Sequence, residues 1–180
     1  SSVWLAEGEK LKLVDLLYAL MLESGNDAAV AIAEHISGSE DAFAALMNET
    51  CKMAGANSTN CVTASGLDDE NHYTTARDLA LIARYAMQNG DFKKIVSTQN
   101  YKIPWQDKGW DRSLKNHNKL LASYPGANGI KTGYTKKSGR CLVSSAEKDG
   151  FGAIVVTLSD PNDWEDHKKL LDFAFSEYKS

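Results

Sequence analysis

The chain has 180 residues, 43% of them hydrophobic and 24% charged, with a formal net charge of −4. That composition suits a globular domain with a real core, and the acidic balance argues against a nucleic-acid surface, which declares itself by a basic excess. No apolar run reaches the ~20 residues that a helical membrane crossing needs, and Lys136-Lys137 and Lys168-Lys169 are pairs that read as solvated surface.

The opening Ser1-Ser2-Val3-Trp4 has neither an initiator Met nor a basic leader, as expected of a processed or cut product. From Leu11 to Met21 the apolar positions, among them Leu13, Leu16, Leu17 and Leu20, recur with helical period. Ser24-Gly25-Asn26 should stop this helix, since all three residues weaken helix propagation. A second helix over 27–36 is apolar nearly all round and is expected to be central. Ser39, with Glu40 and Asp41 in the following turn, opens a third helix that ends near Gly55. Residues 57–73 are rich in Asn, Ser, Asp and Gly and read as an irregular surface excursion. Thr75-x-x-Asp78 has capping-box form ahead of a helix that closes at Asn89-Gly90.

The period then changes. Residues 95–104 and 128–134 are short strand candidates. Cys141–Ala146 and Ala153–Leu158 are better ones, joined across the turn signal Asp149-Gly150. Residues 163–178 form an amphipathic helix. The expected fold class is therefore α+β: one domain with a helical part over roughly 11–90 and an antiparallel sheet with a covering helix over roughly 95–178.

Three cysteines, Cys51, Cys61 and Cys141, are too few for a disulfide scaffold and lack C-x-x-C spacing. Buried free thiols are the expectation, with a Cys51–Cys61 bridge left open. His35, His72, His117 and His167 never fall at a metal-helix spacing, so no metal site and no cofactor is expected. Asp160, Asn162 and Asp163 lack the glycine and closing glutamate of a calcium loop and read as a helix N-cap cluster. Trp105 and Trp110 flank a hairpin tip, and His117 reads as a core or turn residue rather than a base.

Two short motifs remain. Ser24-Gly25-Asn26 places polar groups between two buried helices, where they need hydrogen-bond partners inside the fold. Lys131-Thr132-Gly133 sits in a strand candidate and offers a cation, a hydroxyl donor and an unobstructed backbone edge. Those parts suit an extended, anionic peptide end and the oxyanion formed when its carbonyl is attacked. Each motif is weak alone; together, and in this order, they match the second and third elements of the S-x-x-K, S-D-N, K-T-G set of penicillin-binding proteins and class A β-lactamases.

The surroundings resemble the low-molecular-weight serine D-alanyl-D-alanine carboxypeptidases more closely. The resemblance runs through Leu16–Ala29, Gly66-Leu67-Asp68, His72–Ala76, Asn116–Leu121 and Gly126–Gly139. It implies a penicillin-binding-protein/β-lactamase-like transpeptidase fold, incomplete at its N-terminus, because the family's S-x-x-K lies upstream of S-x-N at the start of a buried helix. Ser145–Lys148 and Ser176–Lys179 also match S-x-x-K, but both follow K-T-G and neither opens a helix.

Carried over by resemblance, Ser24, Asn26 and Lys131 are the catalytic residues and Thr132, Gly133 and Tyr134 bind substrate. A serine outside this chain would attack the carbonyl between the two terminal D-alanines. Ser24 would pass a proton to the leaving D-alanine, and Asn26 would hold the substrate's amide or a nearby lysine. Lys131 would order Ser24 and supply positive potential. Thr132 would donate to the substrate carboxylate, Gly133 would admit the peptide, and the backbone N–H of Tyr134 would serve the oxyanion. Some relatives carry an arginine after the hairpin to grip that carboxylate; residues 157–162 hold none.

The implied partners are peptidoglycan stem peptides, β-lactams and an N-terminal complementary segment, with a membrane anchor only beyond residue 180 and an extracytoplasmic location. Two other readings stay open: a class A β-lactamase, which lacks support from any glutamate loop, and a non-catalytic peptidoglycan-binding protein. Without its complement the chain is expected to expose apolar faces around Leu20 and Ile32 and a sheet edge, and so to self-associate.

Overall fold

The computed structural model describes residues 1–105 and 108–178. Five helices come first: α1 (Leu13–Glu23), α2 (Asn26–Ser37), α3 (Glu40–Met53), α4 (Ala76–Ala86) and α5 (Gly90–Ser97). A hairpin, β1 (Asn100–Trp105) and β2 (Trp110–Lys115), follows, then the single turn α6 (Leu120–Ser123). The chain closes with β3 (Ala127–Thr135), β4 (Gly139–Lys148), β5 (Phe151–Thr157) and α7 (Asp163–Glu177). β1 and β2 form one antiparallel sheet, and β3-β4-β5 form the other in that spatial order, leaving β3 at an edge.

The three-stranded sheet has a layer on each face. Leu142, Ala146, Ala153 and Val155 pack under Leu171 and Phe175 of α7. On the opposite face, Val143 and Ile154 meet Ala83 of α4 and Val96 of α5. A further core joins Tyr18, Ala19 and Leu22 of α1 to Ala28, Ile95, Ile103 and Leu114. Side chains alternate along each strand, so neighbouring residues feed the two layers in turn.

Capping residues explain several boundaries. The hydroxyls of Ser39 and Thr75 accept from the N–H groups of Ala42 and Asp78, satisfying donors that the first helical turn leaves orphaned. Asn89 does the same for Phe92. That bond corrects one expectation: Asn89-Gly90 opens α5 rather than simply closing α4. Ile95 and Val96 belong to this helix, so the strand expected over 95–104 begins only at Asn100. Two adjacent β-branched residues imitated a strand because both are buried on one side of a short helix. β2 escaped the sequence reading because its inward positions are Arg112 and Leu114, and a buried arginine hides the period.

α2 is one-sided rather than central. Ala28, Ala29, Ile32 and Ala33 are buried, while Glu34, His35 and Ile36 face solvent. Nor is Ile32 an exposed face, at 5% accessibility, and Leu20 packs against the first core. The covering comes from the N-terminal residues. The Asp27 carboxylate accepts from Ser2 Oγ and from the N–H groups of Val3, Leu5 and Ala28. Burial opposes its charge, but these bonds outweigh burial and hold the carboxyl below its usual range. Further along, Glu9 makes a bidentate pair with the buried Arg112, which also donates to the Trp4 carbonyl and lies 4.0 Å from the Trp105 ring centroid. The hairpin tip expected between Trp105 and Trp110 falls partly on residues 106 and 107, outside the described residues.

The excursion over 57–75 is built rather than loose. Buried Asp78 accepts from Ser58 N and Thr59 Oγ1. Asn48 and the Cys61 backbone exchange reciprocal hydrogen bonds of 2.7 and 2.8 Å. Cys51, Cys61 and Cys141 are free thiols, with Cys51 and Cys61 sulfurs 4.0 Å apart.

Two predictions test this packing. Gly126 has φ +85°, and a Cβ there would lie 2.5 Å from the Glu147 carbonyl oxygen. Gly126→Ala should therefore destabilise the fold by about 3 kcal/mol, combining left-handed strain with overpacking, as read from denaturant midpoints. The second concerns His167, fully buried between Ser144 Oγ at 2.5 Å and Thr157 Oγ1 at 3.0 Å. Burial pulls its pKa down to about 4, against the opposing pull of Asp163, Asp160 and Asp166. Between pH 6.5 and 4 the unfolded chain takes up a proton that the folded one refuses. Its stability contribution is present above pH 6.5 and should fall by roughly 3 kcal/mol as pH drops to 4, a slope that His167→Gln removes.

Candidate active site

The break between α1 and α2 and the edge strand β3 meet in one cleft of about 790 Å³. Ser24 ends α1 in the left-handed conformation, φ 58° and ψ 41°, turning its hydroxyl away from the helix axis. Gly25 follows in a buried position where a Cβ would meet Asp27, Val3 and Ala19 atoms at 3.2 to 3.4 Å. The chain thus reverses tightly there, and α2 starts with Asn26 already at the cleft.

From β3, Lys131 reaches across the joint. Its Nζ donates to Ser24 Oγ at 2.8 Å and to its neighbour's carbonyl, Thr132 O, at 2.9 Å. Burial brings its pKa down to about 8, because a desolvated ammonium is less stable than a neutral amine. No carboxylate is hydrogen-bonded to it among the described residues. Ser24, Asn26, Lys131, Thr132, Gly133 and Tyr134 all line this cleft. Neither the Asn26 amide nor the Thr132 hydroxyl has a hydrogen-bond partner among the described residues, so both remain able to bind a ligand.

Gly133 is informative because the protein itself does not require it. Its φ is not left-handed, and a Cβ there would find only ordinary contacts, 3.7 Å from Cys141 Cβ. The fold would tolerate a side chain there, and the glycine leaves the strand open where it lines the cleft.

Other walls were not read as site residues from sequence. Ser65, Gly66 and Leu67 arrive on the excursion, which Asp68 ties to β3 by accepting from Thr135 Oγ1 at 2.8 Å. His117 is neither core nor free: Nε2 lies 3.1 Å from Glu23 Oε2 in the cleft wall, and Glu23 Oε1 also accepts from Lys115 N. Arg140 and Asp163 close one end. Arg140 Nε and Nη2 donate to the two oxygens of Asp163, at 3.1 and 2.8 Å. This corrects the N-cap expectation for 160–163. Asn162 occupies the cap position but its side chain donates to Asp166 Oδ1 instead of capping a backbone N–H, and Asp163 accepts from Trp164 N while it holds Arg140. No local signal joins residues 23 positions apart on a strand and a helix.

The described residues of the two S-x-x-K matches lie elsewhere. Buried Ser145 donates to Asn128 Oδ1, and Lys148 donates to Tyr124 OH, and neither lines the cleft. Ser176 Oγ bonds the Phe173 carbonyl, and Lys179 is outside the described residues. Among the described residues no cluster of three His, Cys, Asp or Glu side chains is placed to hold a metal ion.

Comparison with known proteins agrees with this geometry. The sequence profile of the D-alanyl-D-alanine carboxypeptidase family matches residues 1–162. The chain is 38% identical over 185 residues to the D-alanyl-D-alanine carboxypeptidase DacF of Bacillus subtilis, with all of this chain and 47% of the relative covered. It is 35% identical over 189 residues to a D-alanyl-D-alanine carboxypeptidase of Streptomyces sp. strain K15, covering 98% of this chain and 65% of the relative. It therefore spans about half to two thirds of the length of these curated relatives. Among solved structures, the Streptomyces K15 DD-transpeptidase superposes with a TM-score of 0.91 at 33% identity, covering 98% of this chain and 72% of that one. A penicillin-binding protein homologue from Mycobacterium tuberculosis superposes at 0.92 with 32% identity, covering 100% and 70%. The mixed α+β fold is that of the DD-transpeptidases, and the chain belongs to the D-alanyl-D-alanine carboxypeptidase family.

Proposed function

We propose that these 180 residues are one partial catalytic domain of a serine D-alanyl-D-alanine carboxypeptidase that trims peptidoglycan stem peptides outside the cytoplasmic membrane and is acylated by β-lactams. The observation that carries this reading is the Lys131–Ser24 hydrogen bond beside an unpaired strand edge whose Gly133 leaves room for a peptide. An extended substrate adds to that edge by backbone hydrogen bonds, which brings its penultimate carbonyl to the Ser24–Lys131 pair.

Among the described residues no serine followed one helical turn later by a lysine lines the cleft. The nucleophile in this reading comes from a missing or separate N-terminal segment, and these 180 residues by themselves are inactive. Its hydroxyl oxygen bonds to the carbonyl carbon, the C–N bond to the terminal D-alanine breaks, and the acyl-enzyme is then hydrolysed by water. Ser24, polarised by Lys131, relays the proton to the leaving amine. Asn26 holds the substrate amide. Thr132 donates to the terminal carboxylate, and the Tyr134 N–H serves the oxyanion. The same absence of a nucleophile favours one rival, a cleft that only binds stem peptides. Denaturing mass measurement after exposure of the intact protein to a fluorescent penicillin separates them: a covalent adduct supports the enzyme, and its absence leaves the binder.

Lys131 generates a pH prediction. Its positive charge is present below about pH 8 and lost above. The rate constant kcat/KM for penicillin acylation of the intact enzyme should fall as pH rises through 8, and Lys131→Arg should remove that limb while lowering the plateau. Holding a half-buried ammonium is costly, so Lys131→Met should stabilise the fold by about 1 to 3 kcal/mol at pH 7 while abolishing acylation. Gly133→Val should leave the unfolding midpoint nearly unchanged and cut acylation by about 100-fold or more, because a side chain would displace the peptide from the edge.

A further inference from the structure

Resting on that reading, we infer that Arg140, braced by Asp163, receives the substrate's terminal carboxylate together with Thr132. β5 and the turn after it, residues 151–162, carry no arginine, so the anion must find its partner elsewhere in the cleft.

The register supplies the geometry. Thr132 faces Leu142 across the ladder and Tyr134 faces Arg140. Directly opposed residues of an antiparallel pair project to the same side, and positions two apart along a strand share it. Leu142 packs in the core beneath α7. Thr132 and Arg140 therefore stand on the α7 face of the sheet, next to each other, while Lys131 and Gly133 belong to the other face. A carboxylate that accepts from the Thr132 hydroxyl is then on Arg140's side of the strand edge.

The guanidinium is both anchored and available. Asp163, with only 5% of its side chain exposed, fixes Nε and Nη2, whereas 43% of the Arg140 side chain remains accessible. Two of five N–H donors are used, and Nη1 has no hydrogen-bond partner among the described residues. The other cations of the cleft are less suited. Lys131 is committed to Ser24 and Thr132 O. Lys119, which like Arg140 lies near the Trp164 ring, at 5.6 against 6.0 Å from its centroid, has no carboxylate anchoring it among the described residues. Asp163 cancels much of Arg140's long-range field, so the pair acts by directed, charge-assisted hydrogen bonds at contact rather than by steering. Its effect should accordingly appear in recognition of the carboxylate itself.

The experiment compares two substrates of the intact enzyme that carries its nucleophile: a D-Ala-D-Ala peptide with a free C-terminal carboxylate and the same peptide as its C-terminal amide. Arg140→Gln should lower kcat/KM for the acid by about 10- to 100-fold, largely through KM, and leave the amide nearly unchanged, so that the acid-to-amide preference collapses. Asp163→Asn, which loosens the anchor without removing the cation, should give a smaller loss in the same direction. Arg140→Met, which keeps the apolar stem, decides the matter if the glutamine variant does not fold. An unchanged acid-to-amide ratio in a folded Arg140 variant overturns this inference and leaves the carboxypeptidase reading standing. A wild-type enzyme that releases no D-alanine and takes no penicillin overturns both.

Discussion

A cation carried by the sheet and held against a hydroxyl of the helical part organises this molecule. Lys131 and Ser24 are 107 residues apart, and their side chains meet at 2.8 Å across the joint between the two halves. The arrangement costs stability, since the ammonium is largely desolvated, its pKa is down at about 8, and no carboxylate among the described residues is bonded to it. Such a charge persists only where the surrounding fold determines its position. It also needs Ser24 in a left-handed conformation, which the helix break supplies and the buried Gly25 accommodates.

The rest of the structure can be understood as support for that joint. Asp27, two residues after the glycine, gathers the N-terminal residues over α1 and α2 through several donors, so the break is held from behind. Arg112 and Glu9 tie the same N-terminal residues to the β1–β2 hairpin. On the far side, α7 holds the sheet through Leu171 and Phe175 and through His167, whose two ring nitrogens meet hydroxyls on β4 and β5. Asp78 and Asn48 fasten the polar excursion so that Ser65 to Leu67 can form a cleft wall. In each case a polar side chain taken out of water finds hydrogen-bond partners, Arg112 through its two terminal nitrogens while its Nε has none among the described residues.

Much of the fold was legible in the sequence where the signal was local. Helical periodicity located α1 to α4 and α7, capping residues marked Ser39 and Thr75, and Asp149-Gly150 marked the β4–β5 turn. The reading failed at Ile95 and Val96, where a short helix buries two β-branched residues side by side. It failed again at β2, where Arg112 is buried only because Glu9 and the Trp4 carbonyl, more than 100 residues away, satisfy it. His117 could not be placed because its partner, Glu23, stands 94 positions earlier. The six motif residues could be singled out because a tripeptide is legible as text, and the structure brings all six to one cleft. Arg140 was missed because its relevance depends on a strand register and a helix start.

Taken alone, the sequence determined most of the helices and the strands of the three-stranded sheet, the α+β class, and the order of a serine-glycine-asparagine break before a lysine-threonine-glycine strand. Those are properties of residues within one or two turns of each other, where propensity, period and capping act. The tertiary structure decided that β3 is an edge, that Lys131 and Ser24 touch, and that Arg140 and Asp163 close the same cleft. It also decided that Ser145, Lys148 and Ser176 of the later S-x-x-K matches stand away from that cleft. Those outcomes rest on register and layer packing, which join residues as far apart as the 107 positions between Ser24 and Lys131 and leave no periodic trace in the chain.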